Sequence, residues 1–195
     1  MNIYILITAL LPVAILLVAI YLKDKASPEP AGQMVKAFVF GVISAGVAIA
    51  LSTLLEMTGL YSQWVPYNAN RIRMAFFGAA IPEETAKLFM LWLLLRKNKF
   101  FDENMDGIVY AVFVSLGYYY SLATFGNKAT LRNKIFVWLV PVMAHGFYDA
   151  ILLITNVPPA ISIILSIIFF VFLCWKGKTA KRKVREALKR DGITN

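Results

Sequence analysis

Apolar positions dominate the chain in long continuous blocks that short polar segments separate. Each block approaches the ~20 residues that a helix needs to cross the ~30 Å hydrocarbon core of a membrane. The blocks are continuous and do not alternate, which favours helices over the strands of a membrane barrel. The pattern predicts six membrane-spanning helices, at residues 3–22, 35–55, 74–95, 107–126, 135–155 and 158–175.

The composition agrees with this pattern. Of the 195 residues, 59% are apolar and 16% are charged, against about 45–50% and about 25% in soluble domains. These values exclude a soluble enzyme and a disordered tail. The first block lacks a basic leader and a small-residue cleavage site, so we interpret it as a retained span. We predict an all-α, polytopic transmembrane bundle over residues 1–175 and a basic cytoplasmic tail over 176–195.

The rare residue types limit the kinds of site that this chain can build alone. It has one cysteine, Cys174, and one histidine, His145. A single cysteine excludes a disulfide framework and a cysteine metal cluster. A single histidine excludes any site made of several histidines of this chain.

The net charge is +9, and the basic residues that produce it are distributed as in a membrane protein. Eight of the 20 Lys and Arg residues lie between Lys176 and Arg190, and Lys87 alone lies inside an apolar block. With six spans and cytoplasmic termini, 13 basic residues fall inside and six outside, as the positive-inside rule expects. We therefore predict a multi-pass protein of the cell membrane with no nucleic-acid partner. The tail is either a topology anchor or a segment that binds anionic headgroups.

Five ionisable residues lie deep in predicted spans. A charge at the bilayer centre costs roughly 2.5–3.5 kcal/mol, so such residues face the bundle interior and mark function by default. Glu83 and Glu84 lie four and three residues before Lys87, so both carboxylates can reach its ammonium group. His145 and Asp149 are also four apart, and an acid can fix the tautomer of an imidazole. We expect Glu83 and His145 to converge on one cavity inside the bundle and to lie within about 12 Å of each other, the reach of two groups around one peptide bond.

Simpler interpretations of these residues stay open. Glu84 and Lys87 can form a structural ion pair that satisfies both charges in lipid. His145 can be an interhelical hydrogen-bond donor. Proton-coupled transport also uses membrane-buried acids and histidines. Pro82, directly before the acidic pair, frees a backbone carbonyl one turn earlier in the span.

Two motifs with one span between them resemble those of a known family. The first is Glu83-Glu84-x-x-Lys87, and the second is the run Phe-Asp-Glu-Asn-Met-Asp-Gly-Ile-Val-Tyr at 101–110. Together they resemble the PrsW family of intramembrane proteases. The loop at 21–30 is similar to that family's first loop. The segment 145–149 resembles its late histidine motif and the HxxxN motif of the related CAAX prenyl proteases, so the likeness runs from about residue 20 to 155.

The resemblance implies a membrane-embedded endopeptidase that cleaves a membrane protein or peptide. In that superfamily a glutamate of the pair activates water to attack a peptide carbonyl. Carried over by position, Glu83 is the base and Glu84 supports it. Lys87 holds the pair in place, and His145, beside Asp149, serves the transition state.

The second motif adds Asp102 and Asp106 as supporting residues. The family is often labelled as metalloproteases, and zinc usually takes three protein ligands and a water. The carboxylates and single imidazole of this chain are few for zinc. We assign no cofactor, and a divalent metal such as zinc remains a candidate.

The chain departs from the family pattern after Gly117. The family continues to a Glu-Asn pair and then to a further histidine motif, whereas Leu122 and Ala123 stand at the Glu-Asn position here. The sequence is what would result if two spans between Gly117 and Tyr118 were absent. This departure leaves open an inactive family member that binds a membrane partner. The buried ionisable residues leave open a third class, a small proton-coupled transporter with Glu83 and His145 along its water path.

Overall fold

The structure, a computed structural model, describes two continuous parts of the chain. These are residues 30–100 and 131–154. Single residues and short runs are described elsewhere, at 18, 158, 160–161, 163–165, 167–168, 171, 182, 185–186 and 189. The fold, the packing and the site below refer to these residues.

The described chain is helical. Helix α1 spans Ala31–Met57, and the short helix α2 spans Asn68–Arg73. A π-helical segment, Met74–Ala80, continues α2 directly into α3, Ile81–Leu95. Helix α4 spans Leu131–Leu153. No strand occurs among the described residues, which agrees with the predicted all-α class.

Three of the six predicted spans fall on these helices. The block 35–55 lies within α1, which begins after Pro30 and ends before Gly59, a residue with a positive φ of 77°. The block 74–95 is helical throughout, although its first part is π-helical. The block 135–155 coincides with α4 apart from its last residues.

The other three spans stay predictions. The blocks 3–22, except Val18, and 107–126 lie outside the described residues. The described residues of 158–175 after Pro158 are helical. In the tail, Arg182 and Glu186 are helical and lie one turn apart, with Nε of the arginine 3.8 Å from Oε1 of the glutamate.

A compact apolar core joins α1 to α3. Its buried members are Ala37 of α1 and, on α3, Met90, Leu91, Leu94 and Leu95. The π-helical segment packs mainly against α4. The polar residues of α3 lie near its beginning, away from this core and close to α4.

Much of the remaining helix surface is apolar and points outward. Val42 and Ile49 of α1 are 60% and 68% exposed. Two described helical stretches, Ala31–Met57 and Ile135–Leu153, are long and apolar enough to cross a membrane. Outward apolar faces of this extent are typical of helices whose surroundings are lipid.

Candidate active site

Glu84 is the buried centre of a polar cluster at the beginning of α3. It is 5% exposed. Its Oε1 accepts a hydrogen bond from Nζ of Lys87 at 2.9 Å and lies 2.9 Å from Nδ1 of His145 on α4. Glu84 is thus bonded within its own helix and across to a second helix.

Lys87 joins the two glutamates. Its Nζ lies 2.9 Å from Oε1 of Glu84 and 3.3 Å from Oε2 of Glu83. The spacings of three and four residues place all three side chains on one side of α3, as the sequence predicts. The lysine therefore stands between one buried and one more open carboxylate.

His145 lies between two carboxylates. Its Nδ1 faces Glu84, and its Nε2 lies 3.2 Å from Oδ2 of Asp149, one turn further along α4. Whichever nitrogen carries a hydrogen donates to the carboxylate that it faces. The ring thus lies between a carboxylate of α3 and a carboxylate of its own helix.

Two cavities meet near this cluster. One, of about 490 Å³, is lined by residues of α1 and by Glu83 and Lys87. The other, of about 370 Å³, is lined in part by Asp149. Ser52, Gln63 and Gly78 line both. The side chain of Glu83 is 43% exposed, so its carboxylate is open to the first cavity while Glu84 is enclosed.

Close packing between α4 and the π-helical segment sets the position of His145. The next residue, Gly146, lies directly against the ring of Phe76, and a Cβ at this glycine would overlap that ring. Phe147 packs edge-to-face on the same ring, with centroids 5.6 Å apart. A larger residue than glycine at this position would prevent α4 from packing this closely against the π-helical segment.

A second polar contact fixes α4 against α3. Nε1 of Trp138 donates to Oγ1 of Thr85 at 2.9 Å. Thr85 directly follows Glu84, and Trp138 lies two helical turns before His145. This pair and the pair of Glu84 and His145 therefore determine how the two helices face each other.

The structure brings together five of the predicted site residues. Three successive contacts connect Oε2 of Glu83 to Nδ1 of His145, by way of Nζ of Lys87 and Oε1 of Glu84. Their lengths are 3.3, 2.9 and 2.9 Å. The two atoms are therefore within about 9 Å, which meets the expected limit of about 12 Å. One detail differs: His145 lines neither of the two cavities and reaches them through its partners. The supporting residues Asp102 and Asp106 lie outside the described part of the chain.

Sequence reasoning missed the polar residues that other elements contribute. Ser52 of α1 and the loop residues Tyr61 and Gln63 lie at the cavities or beside them, and Thr85 bonds to Trp138. Single hydroxyl and amide groups carry no spacing signal along the sequence. Their partners belong to other elements, so only the packed structure shows them.

Comparison with known proteins identifies the family. The model of the PrsW family intramembrane metalloprotease matches residues 29–121. Protease PrsW of Clostridioides difficile is 27% identical over 219 residues, covering 90% of this chain and 89% of the relative. Protease PrsW of Bacillus subtilis is 26% identical over 203 residues, covering 85% and 88%.

A third relative has higher identity over a shorter stretch. Protease PrsW of Geobacillus kaustophilus is 31% identical over 152 residues, covering 72% of this chain and 60% of the relative. No solved structure matches the chain. The chain belongs to the PrsW family of intramembrane proteases. It is accordingly a membrane protein and a protease.

This PrsW family member is shorter than the C. difficile and B. subtilis relatives within the regions that match. The match to the C. difficile protein extends over 219 positions, whereas 90% of this chain is about 176 residues. About 43 positions of the relative therefore have no counterpart here. The B. subtilis match extends over 203 positions and covers 85% of this chain, so about 37 positions of that relative have no counterpart here. An internal difference of this size agrees with the departure that the sequence shows.

The family description names a metal, and the described residues do not fit one. In residues 30–100 and 131–154, no group of three His, Cys, Asp or Glu side chains could hold a metal ion. Both ring nitrogens of His145 face carboxylates. The ammonium of Lys87 occupies the place between Glu83 and Glu84 where a cation would bind.

Proposed function

We propose that this chain is a multi-pass endopeptidase of about six spans, in which Glu83 activates water to cleave a peptide bond of a membrane protein. One observation carries the proposal: of two adjacent acids, Glu83 is open to a cavity and Glu84 is enclosed by Lys87 and His145. Two carboxylates in unlike surroundings suit unlike roles. The open one can reach a substrate and a water molecule, and the enclosed one can only support it.

The reaction follows from this division of roles. The carboxylate of Glu83 takes a proton from water as the water oxygen bonds to the substrate carbonyl carbon. The same proton then passes to the departing amine nitrogen as the C–N bond breaks. The carbonyl oxygen gains negative charge during the attack. Lys87 lines the same cavity as Glu83, and its positive charge stabilises that oxygen.

This arrangement changes the role that the family resemblance gives to His145. Both of its nitrogens face carboxylates of the protein, so the ring holds the cluster together and does not point at the substrate. Glu84 and Asp149 fix the ring, and the ring in turn fixes Glu84 beside Lys87. We propose that His145 supports the transition state through Glu84 and Lys87.

The first cavity is lined along α1 mainly by small side chains. The wall that α1 contributes carries small side chains: Gly41, Ser44, Ala45 and Ala48. Small residues along a membrane helix let another backbone approach closely. A substrate strand lying on this wall would bring its carbonyl groups to the side where Glu83 and Lys87 lie.

The decisive experiment compares two acid-to-amide changes. Glu83→Gln keeps the shape of the side chain and removes the base, so we expect cleavage of a membrane-protein reporter to fall on the order of 10²- to 10⁴-fold. Glu186→Gln in the tail makes the same chemical change away from the cavities and is expected to cleave at the wild-type rate. The measurement is the rate of reporter cleavage in vesicles that contain equal amounts of folded protein.

Two outcomes would overturn the proposal. Cleavage by Glu83→Gln at the wild-type rate would remove Glu83 from the mechanism. A wild-type chain that crosslinks to the reporter and never cleaves it would indicate a binding protein without catalysis.

A further inference from the structure

A hydroxyl network connects α1 to the π-helical segment that precedes Glu83. Oγ of Ser52 donates to the carbonyl oxygen of Gly78 at 2.7 Å and lies 2.6 Å from the phenol oxygen of Tyr61. That phenol in turn donates to the backbone carbonyl of Ser52 at 2.8 Å. Tyr61 is 3% exposed. Three elements therefore meet at two hydroxyl groups: α1, the loop after it and the π-helical segment.

The Gly78 carbonyl lies where the helical hydrogen bonding changes register. The α-helical bond from residue i+4 cannot form here, because that residue is Pro82, which has no N–H. In the π-helical register of this segment, the backbone partner five residues on is the N–H of Glu83 itself. The hydroxyl of Ser52 gives the same carbonyl a donor from another helix.

The aromatic ring of Tyr61 adds a steric contact at the same residue. A Cβ at Gly78 would lie 3.0 Å from Cε2 of Tyr61 and 3.4 Å from Cγ of Met74. The ring therefore rests almost on the backbone of Gly78. The carbonyl is held by Ser52 while the α-carbon is held by Tyr61, so this turn is fixed from two directions.

Glu83 follows Gly78 by five residues on the same continuous helical segment. Ser52 and Gly78 also line both cavities, and Glu83 lines the first. We propose that Ser52 and Tyr61 are positioning residues for Glu83. By holding the Gly78 turn, they set the direction in which the Glu83 carboxylate enters the cavity. This inference rests on the proposed function of Glu83.

The first arm of the test is kinetic. Ser52→Ala removes the donor to Gly78, and we expect kcat for reporter cleavage to fall at least about tenfold with KM nearly unchanged, because small misplacements of a catalytic group are costly. Ser52→Thr keeps the hydroxyl and is expected to restore most of kcat. Tyr61→Phe keeps the ring on Gly78 and loses only the hydroxyl, so kcat should fall less than in Ser52→Ala.

A matched control separates this role from a general loss of hydroxyl groups on α1. The hydroxyl of Thr58 donates to the carbonyl of Leu55, within its own chain segment and away from the two cavities. Thr58→Val is therefore expected to leave kcat and KM unchanged. An equal decrease of kcat in Thr58→Val and in Ser52→Ala would overturn the proposal.

The second arm needs no catalysis. In a Cys174→Ser background, Glu83→Cys places the chain's one thiol at the position of the proposed base. The rate of its reaction with a charged, water-soluble thiosulfonate reports how that position faces the cavity. We expect adding Ser52→Ala to change this rate several-fold, and adding Ser52→Thr or Thr58→Val to leave it unchanged.

The two arms fail separately. If the wild-type chain cleaves nothing, the proposed function fails, and the labelling rates still decide whether Ser52 orients position 83. If Glu83 proves essential and Ser52→Ala leaves both kcat and the labelling rate unchanged, the positioning role is wrong. Should Ser52→Ala fail to fold, Tyr61→Phe decides in its place, since it alters a single hydroxyl and retains the packing of the ring.

Discussion

Glu84 and His145 are 61 residues apart in sequence and 2.9 Å apart in the structure. The contact joins α3 to α4 through two polar side chains in largely apolar surroundings. Lys87 extends it on one side and Asp149 on the other. The cluster is therefore a single polar unit that spans two helices, and its members are expected to respond together to mutation.

This coupling can be measured with a double-mutant cycle. We expect Glu84→Gln and His145→Phe each to lower the free energy of unfolding, and the double mutant to lose less than the sum of the two. Neighbouring residues of one network show interaction energies of about 0.5–3 kcal/mol. The measurement is reversible unfolding in detergent micelles, with the cycle of Glu186 and His145 as the additive control. Additive losses for Glu84 and His145 would show that the contact carries no energy.

The two adjacent glutamates are expected to differ in stability as well as in chemistry. Glu84→Gln removes the negative charge that Lys87 and His145 share, and breaking a buried ion pair costs about 3–5 kcal/mol. Glu83→Gln changes a more open contact of 3.3 Å, for which about 0–1 kcal/mol is typical. Thermal unfolding of the two variants tests this order. A Glu83→Gln protein less stable than Glu84→Gln would reverse the assignment of the structural acid.

Gly146 is expected to tolerate no larger side chain. Gly146→Ala places a Cβ too close to the edge of the Phe76 ring, and overpacking of this kind costs about 1–3 kcal/mol. It also moves His145 relative to Glu84, so cleavage is expected to fall with stability. Phe76→Leu makes room and should restore part of both. Gly46→Ala on α1 is the control, since a Cβ there meets nothing within 4 Å. Equal behaviour of the two alanine variants would contradict the packing argument.

The sequence was sufficient for features that depend on local spacing. Continuous apolar runs predicted α1, the helical segment before Arg96 and α4 to within a few residues at most ends. The intervals between Glu83, Glu84 and Lys87 predicted their contacts, because the geometry of one helix determines them. The pair of His145 and Asp149 followed in the same way. Each of these features depends on a single helix.

Specific contacts between elements were not predicted, although depth within the predicted spans did indicate that Glu83 and His145 lie near each other. The contact between Glu84 and His145 requires a particular rotation of α3 against α4, which Gly146, Phe76 and the bond from Trp138 to Thr85 establish. None of these carries a periodic signal. Pro82 indicated a break in regular α-helical bonding one turn earlier, although the sequence could not show that Ser52 would bond to the Gly78 carbonyl there.

The basic tail provides a test of topology. If both termini are cytoplasmic, protease added to inside-out vesicles should remove the segment after Cys174, and protease added to right-side-out vesicles should leave it intact. The positive-inside rule is the physical reason. An epitope after Asn195 makes the cleavage visible on a blot. Protection of the tail in inside-out vesicles would contradict the six-span topology.

The shorter length of this chain predicts a gain of activity on insertion. We expect a chimera that carries the extra segment of a longer relative between Gly117 and Tyr118 to cleave the reporter faster than the chain as it stands. That segment would supply the family's Glu-Asn pair and further histidine. The same insertion with its glutamate and histidine replaced by alanine is the control. Equal rates for the chimera and the unaltered chain would show that the segment is dispensable.

The π-helical segment makes this part of the protein sensitive to length. A π-helical turn closes hydrogen bonds between residues five apart, and here the N–H of Ile81 reaches the carbonyl of Phe76. Deleting one residue within Met74–Ala80 would let the turn close as ordinary α-helix with α3 in nearly the same rotation, because a π-helical turn holds about one residue more than an α-helical turn. Deleting two residues would rotate all of α3 relative to α2 by about 100°. Glu84 would then leave its place opposite His145, so natural variation in this segment is expected to tolerate the loss of one residue and seldom the loss of two.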